Sequence, residues 1–184
     1  MHDMLADETL SYDIDQVIWS SSLDQVIGSR AMLLKPELAK LISYPGSLTK
    51  CFQQKAGSIP VIIELLRQHT RQASYSEAKL LRCTETDAQI TERVIYMSVN
   101  NTRWLYARSH FSPFAINYLD KDLKKLGDKS LGLLLIESYP DIIRGNFEYS
   151  VIDNKIIRRS LYKRADQILF SLDEIFLPAL YRLF

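Results

Sequence analysis

Apolar residues recur along this chain with two different periods, and the changes of period locate its elements. Before residue 45 the spacing is helical and short: Ile14, Val17 and Ile18, then Leu34, Leu38, Leu41 and Ile42, fit one-sided helices or turns. Tyr44-Pro45-Gly46 breaks that pattern. Ser47 behind it is a good cap for a helix whose stripe is Leu48, Cys51, Phe52 and Lys55, at i, i+3, i+4 and i+7. Strand signals then take over at residues 61–66 and 90–99, where Arg93, Ile95, Met97 and Val99 alternate with Glu92, Val94, Tyr96 and Ser98. Asn tolerates positive φ, so Asn100-Asn101 supplies a two-residue turn into a second strand at residues 102–111. From Phe114 the stripe Ile116, Leu119, Leu123 and Leu126 predicts a helix that Gly127 stops, and a further short helix starts at Ser130. Beyond Pro140 the period returns to two through Phe147, Tyr149 and Val151, then residues 157–163 and 167–177, with Asp153-Asn154 and Ala165-Asp166 as turns. Strands joined by tight turns and interrupted by helices, without regular alternation, predict an α+β fold with an antiparallel sheet.

Composition narrows the class. The 184 residues suit one domain over 1–184, and 47% apolar with 24% charged residues excludes a disordered or fibrous chain. Twenty-three Lys and Arg against 22 Asp and Glu leave +1, so no global field draws in nucleic acid or an acidic membrane surface. Any partner is recognised locally. Cys51 and Cys83 allow at most one bridge, which points to a reducing, cytoplasmic setting. The first eight residues are acidic where a signal peptide is basic, and no apolar run approaches the roughly 18 residues of a membrane span. Phosphate-binding glycine loops, the nucleophile elbow and the zinc-protease motif are absent, and His2, His69 and His110 lie far apart. Nothing here predicts a nucleotide, a metal or an organic cofactor. Cys51 shares a helix face with Phe52 and reads as a packed thiol, not a nucleophile.

Two charged positions break apolar rows. With Asn100-Asn101 as the turn, Val99 faces Thr102, Met97 faces Trp104, Ile95 faces Tyr106 and Arg93 faces Arg108. Two opposed arginines at the end of an aromatic face repel each other, so an anion belongs near them, either a protein carboxylate or a ligand. In the last strand Ile168, Phe170, Leu172, Glu174 and Phe176 share one face, and Glu174 interrupts it. A nearby arginine or a hydrogen-bonding ligand would stabilise that carboxylate against desolvation.

The order of Ser47-Leu48-Thr49, Glu92-Arg93-Val94-Ile95, Trp104-Leu105-Tyr106-Ala107-Arg108, Leu126-Gly127 with Ser130-Leu131-Gly132, Arg158-Arg159-Ser160 and Asp173-Glu174-Ile175-Phe176-Leu177-Pro178 resembles the chorismate pyruvate-lyase family over residues 44–178. The resemblance implies an antiparallel sheet with helices packed around it, enclosing a ligand pocket beneath flaps. It implies conversion of chorismate to 4-hydroxybenzoate and pyruvate at the entry to ubiquinone synthesis, without metal or organic cofactor, in a monomer that neither binds nucleic acid nor inserts in a membrane. Carried over position by position, the ligand contacts fall on Leu48, Arg93, Leu131 and Glu174, with Arg93 and Glu174 in the catalytic roles and Arg93 as the cation near Glu174. Leu48 and Leu131 sit at predicted helix starts, where backbone N–H groups are free for a polar ligand. Chorismate carries two carboxylates, so the hairpin register adds Arg108 as the grip on the second. Leu48, in place of methionine, and residues 109–113, in place of a valine-rich stretch, depart from the family pattern. Two alternatives stay open: an effector-binding domain of the transcription-regulator type, for which no basic recognition helix is present, and the same reaction feeding a glycolipid pathway.

Overall fold

The computed structural model describes residue 12 and residues 16–29, 34–83 and 88–184; Ile14, His2 and the acidic start lie outside the described residues. The elements are α1 (Leu23–Ser29), α2 (Pro36–Ile42), α3 (Leu48–Ala56), β1 (Val61–Gln72), α4 (Tyr75–Leu80), β2 (Gln89–Val99), β3 (Thr102–Phe111), α5 (Pro113–Leu126), α6 (Leu131–Ser138), β4 (Ile143–Arg144), β5 (Glu148–Ile152), β6 (Lys155–Arg164), β7 (Gln167–Phe176) and α7 (Pro178–Tyr181). Every strand pair is antiparallel, in the order β1-β2-β3-β7-β6-β4, with β5 also on β6. This is the α+β architecture that the alternating periods predict.

The predicted starts at Ser47 and Ser130 hold, and Ser112, which the periodicity does not mark, caps α5 in the same way. Ser47, Ser112 and Ser130 each sit in extended conformation, and each side chain accepts a hydrogen bond from the N–H three residues on, fixing where α3, α5 and α6 begin. Gly127 ends α5 at φ +50°, a region that glycine enters without steric cost. No helix forms at Val17 and Ile18, and Ile18 is exposed; the short N-terminal helices are α1 and α2. β1 runs to Gln72, well past residue 66, because polar side chains of its second half pair across the ladder with β2 instead of alternating with apolar ones.

The β2–β3 hairpin corrects the sequence register. Asn100 and Asn101 do form a two-residue turn at φ +49° and +59°, with Val99 opposite Thr102 and Ser98 opposite Arg103. A bulge follows, and Met97 then pairs with Leu105, leaving Trp104 as the extra residue. One extra residue moves every later side chain of β3 to the other face. Arg93 therefore faces Ser109, while Arg108 faces Val94. The two arginines are not opposed and lie on opposite faces of the sheet. Trp104 uses the bulge to pack edge-on against Phe52 of α3, with ring centroids 5.5 Å apart.

One face of the sheet carries the largest core, in which Phe52, Ile95, Met97, Leu105 and Phe176 meet α1 to α3 and α7. Next to it α5 and α6 cover Phe111, Leu169 and Phe170. A smaller cluster around Val94, Tyr96, Tyr106 and Ile175 lies on the opposite face.

Candidate active site

The cavity opens where two of these helix-covered regions adjoin. Along its floor Arg93 and Ile95 come from β2, Ala107 and Ser109 from β3, and Leu172 and Glu174 from β7. In the ladder Ile95, Ala107 and Glu174 form one row, and Arg93, Ser109 and Leu172 form the next. The small side chains of the middle strand leave a hollow between Arg93 and Glu174, whose strands are two spacings, or roughly 10 Å, apart. Its volume is about 60 Å³.

Two helix N-termini form the roof. Leu48 and Thr49 open α3, Leu131 and Gly132 open α6, and all four line the cavity. The cap of one helix is tied to the first turn of the other, since Thr49 Oγ1 and Ser130 Oγ lie 2.9 Å apart. First-turn amides have no partner inside their own helix, and the helix dipole gives such ends a partial positive charge. Arg144 from β4 lines the same cavity and also the adjoining cleft of about 300 Å³ between Pro45 and Ile142. The site thus gathers positive potential from above and from the side.

Arg93 is 2% exposed. Its Nη2 donates to the carbonyl oxygens of Gly127 (2.7 Å) and Lys129 (3.2 Å), and Nη1 donates to Gln68 Oε1 (3.1 Å). The Gly127 stop of α5 thereby positions the guanidinium. No carboxylate lies within ion-pairing distance of it among the described residues. Burial lowers its pKa to about 10, with Asp128 opposing the shift, so the group stays charged at neutral pH. A buried cation held only by neutral acceptors favours an anionic ligand.

Glu174 does have a cation, and it is Arg158, not Arg93. Arg158 Nε donates to Glu174 Oε2 at 2.8 Å, and Nη2 lies 2.6 Å from the same oxygen in an ion pair. Glu174 Oε1 accepts no hydrogen bond among the described residues, so a carboxylate with one committed and one free oxygen faces the hollow. Arg144 is the site residue that periodicity and motif order do not single out; Arg158 stands in the Arg158-Arg159-Ser160 motif but is given no role there. For Arg158 a signal existed: consecutive arginines on one strand and Asp173-Glu174 on the next supply an ion pair on each face of the sheet.

Arg108 is outside this site. On the far face its guanidinium lies 4.1 Å from the ring centre of Tyr12, and its buried Nε has no hydrogen-bond partner. Around it Tyr12 donates to Asp173 Oδ2 (2.5 Å), and Arg159 grips Asp173 with two bonds of 2.6 and 2.7 Å. Further along, His110 Nε2 lies 3.2 Å from both Glu77 Oε1 and Glu92 Oε2. Those three residues could present metal donors, their atoms lying within 4.8 Å of one another. Arg67 and Arg71 already bond to the carboxylates, so the set is an ion-pair network behind the sheet. Cys51 is half-buried beside the main core, and burial pushes its thiol pKa up, as suits a packed thiol.

Comparisons with known proteins speak to family and fold. The chorismate lyase family model matches residues 15–183. A "Probable chorismate pyruvate-lyase" of Idiomarina loihiensis is 33% identical over 119 residues, which cover 65% of this chain and 58% of that protein's length. Among solved structures, the effector domain of PhnF from Mycobacterium smegmatis has a TM-score of 0.54 at 10% identity, over 73% of this chain and 90% of that one. The GntR-family transcriptional regulator from Bacillus cereus has 0.50 at 9% identity, over 65% and 92%. At such identities these two likenesses speak for the fold alone. Residues matched from 15 to 183 place this chain in the chorismate lyase family.

Proposed function

We propose that this protein is a chorismate pyruvate-lyase, acting in the cytoplasm as a single domain and a monomer to make 4-hydroxybenzoate for ubiquinone synthesis. The observation that carries the reading is the placement of Arg93, a buried guanidinium with no carboxylate partner among the described residues, opposite Glu174, whose Oε1 accepts no hydrogen bond among them, across the hollow over Ala107 and Ser109. Arg93 holds the ring carboxylate by charge-assisted hydrogen bonds. Glu174 contacts the oxygen at the opposite end of the ring. The amides of Leu48 and Leu131 offer further donors, and their side chains press on the ring faces.

The reaction asks little of such a site. The ring loses a proton from its hydroxyl-bearing carbon, the neighbouring carbon–oxygen bond breaks, and enolpyruvate leaves to become pyruvate. The ring becomes aromatic, so the step runs downhill and positioning supplies much of the catalysis. Arg144, and not Arg108, is the cation placed for the carboxylate of the enolpyruvyl arm. No step here calls on a metal or cofactor.

Incubating the purified protein with chorismate and a chelator tests this. We expect 4-hydroxybenzoate and pyruvate in equal amounts at an unchanged rate. Saturable binding of 4-hydroxybenzoate with no turnover would instead favour an effector-binding domain.

A further inference from the structure

We infer that Arg158 is a positioning residue that ties the entrance loop of the cavity to Glu174, so that one guanidinium both presents the carboxylate and holds the loop down. The inference deepens the lyase reading and rests on it. Arg158 is 1% exposed and among the largest fully buried side chains. Its donors divide between two partners. Nε and Nη2 converge on Glu174 Oε2, which leaves Oε1 for a ligand. Nη1 donates to the carbonyl oxygens of Ile42 (2.7 Å) and Tyr44 (2.9 Å). Ile42 ends α2, where a cation meets the negative end of the helix, and Tyr44 opens the Tyr44-Pro45-Gly46 segment that leads into the Ser47 cap and Leu48. The guanidinium also lies 4.2 Å from the ring centre of Phe147, which helps fix its plane.

This geometry links two parts of the site that no other side-chain hydrogen bond among the described residues joins directly: the floor carboxylate and the loop that carries the roof. A lysine at 158 has one nitrogen on a flexible stem and cannot span both directions. Loosening the loop and releasing Oε2 then happen together.

The test uses Arg158→Lys, Glu174→Gln and the double variant Arg158→Met/Glu174→Gln, which removes both charges and avoids leaving one buried alone. For folded Arg158→Lys we expect product affinity and kcat/KM to fall by about tenfold or more, with kcat falling as well as KM rising. Hydrogen exchange at the amides of residues 43–49 should quicken in both variants that lack Arg158, but not in Glu174→Gln, where Nη1 keeps its carbonyls. In a double-mutant cycle on product affinity, positions 158 and 174 should couple strongly. A purely structural Arg158 would lower the melting temperature of Arg158→Lys and leave its kcat, KM and exchange at 43–49 as in the wild type, which overturns the proposal. The exchange arm needs no substrate, so failure of the lyase reading, seen as a wild type that neither turns over chorismate nor binds 4-hydroxybenzoate, is told apart from failure of the tie.

Discussion

Arg93 and Arg108 differ by a single ladder step, and that step decides which of them faces the hollow. Arg93 and Ser109 point into the hollow, while Arg108 points away and rests on Tyr12. Under the proposed lyase reading the second-carboxylate role falls to Arg144, half-buried, without a carboxylate partner among the described residues, and lining both the cavity and its neighbouring cleft. Arg144→Ala should therefore raise KM for chorismate by about tenfold, the worth of one charge-assisted hydrogen bond, and leave affinity for the one-carboxylate product almost unchanged. Steady-state kinetics beside product titration checks this, and an equal weakening for product would move Arg144 to the ring carboxylate. Glu174 was legible in the sequence because it interrupts an apolar row; Arg93 was marked by the family resemblance and by a facing Arg108 that the bulge removes. Arg144 was not, because it lies on a two-residue strand too short to show any period.

At the scale of elements, serine caps and asparagine turns were readable because they act through nearby backbone. The bulge at Trp104 was not, since the tertiary packing of Trp104 on Phe52 accompanies it and no local residue type marks it. The second half of β1 was hidden for a related reason: its polar residues are held by partners on β2 and α4. Arg71 bonds to Glu77 and Glu92 and so fastens α4 and β2 to β1. Burial alone would raise the pKa of Glu77, but hydrogen bonds from Arg71 and the Ser74 N–H, with the charges of His110 and Arg71, hold it at about 2. A carboxylate depressed in the folded state stabilises the fold above its unfolded pKa of about 4.3, and that contribution is lost as pH falls through the folded value. Glu77→Gln should thus be less stable than wild type at neutral pH, with the gap closing as pH drops from about 4.3 towards 2. Denaturant melts at several pH values read this directly, and a gap that stays constant down to pH 2 contradicts it.

Across the whole molecule, the sheet carries polar chemistry on both faces. Arg158 and Glu174 face the cavity, and their sequence neighbours Arg159 and Asp173 form the matching pair behind it. The antiparallel pairing follows from alternation and turn chemistry that the sequence displays, whereas the enclosed pocket is what the family resemblance implies. The α4 network and the tie from Arg158 to the entrance loop depend on contacts between distant residues and emerge only in three dimensions. We propose that the hollow between Arg93 and Glu174 turns over chorismate, and comparing chorismate turnover by wild type and Arg93→Ala, each with a melting curve, tests this. Equal release of pyruvate and 4-hydroxybenzoate is expected from the wild type. A cooperatively melting Arg93→Ala should lose roughly 2–5 kcal/mol, about thirtyfold or more in kcat/KM. A folded Arg93→Ala variant with wild-type turnover would contradict it.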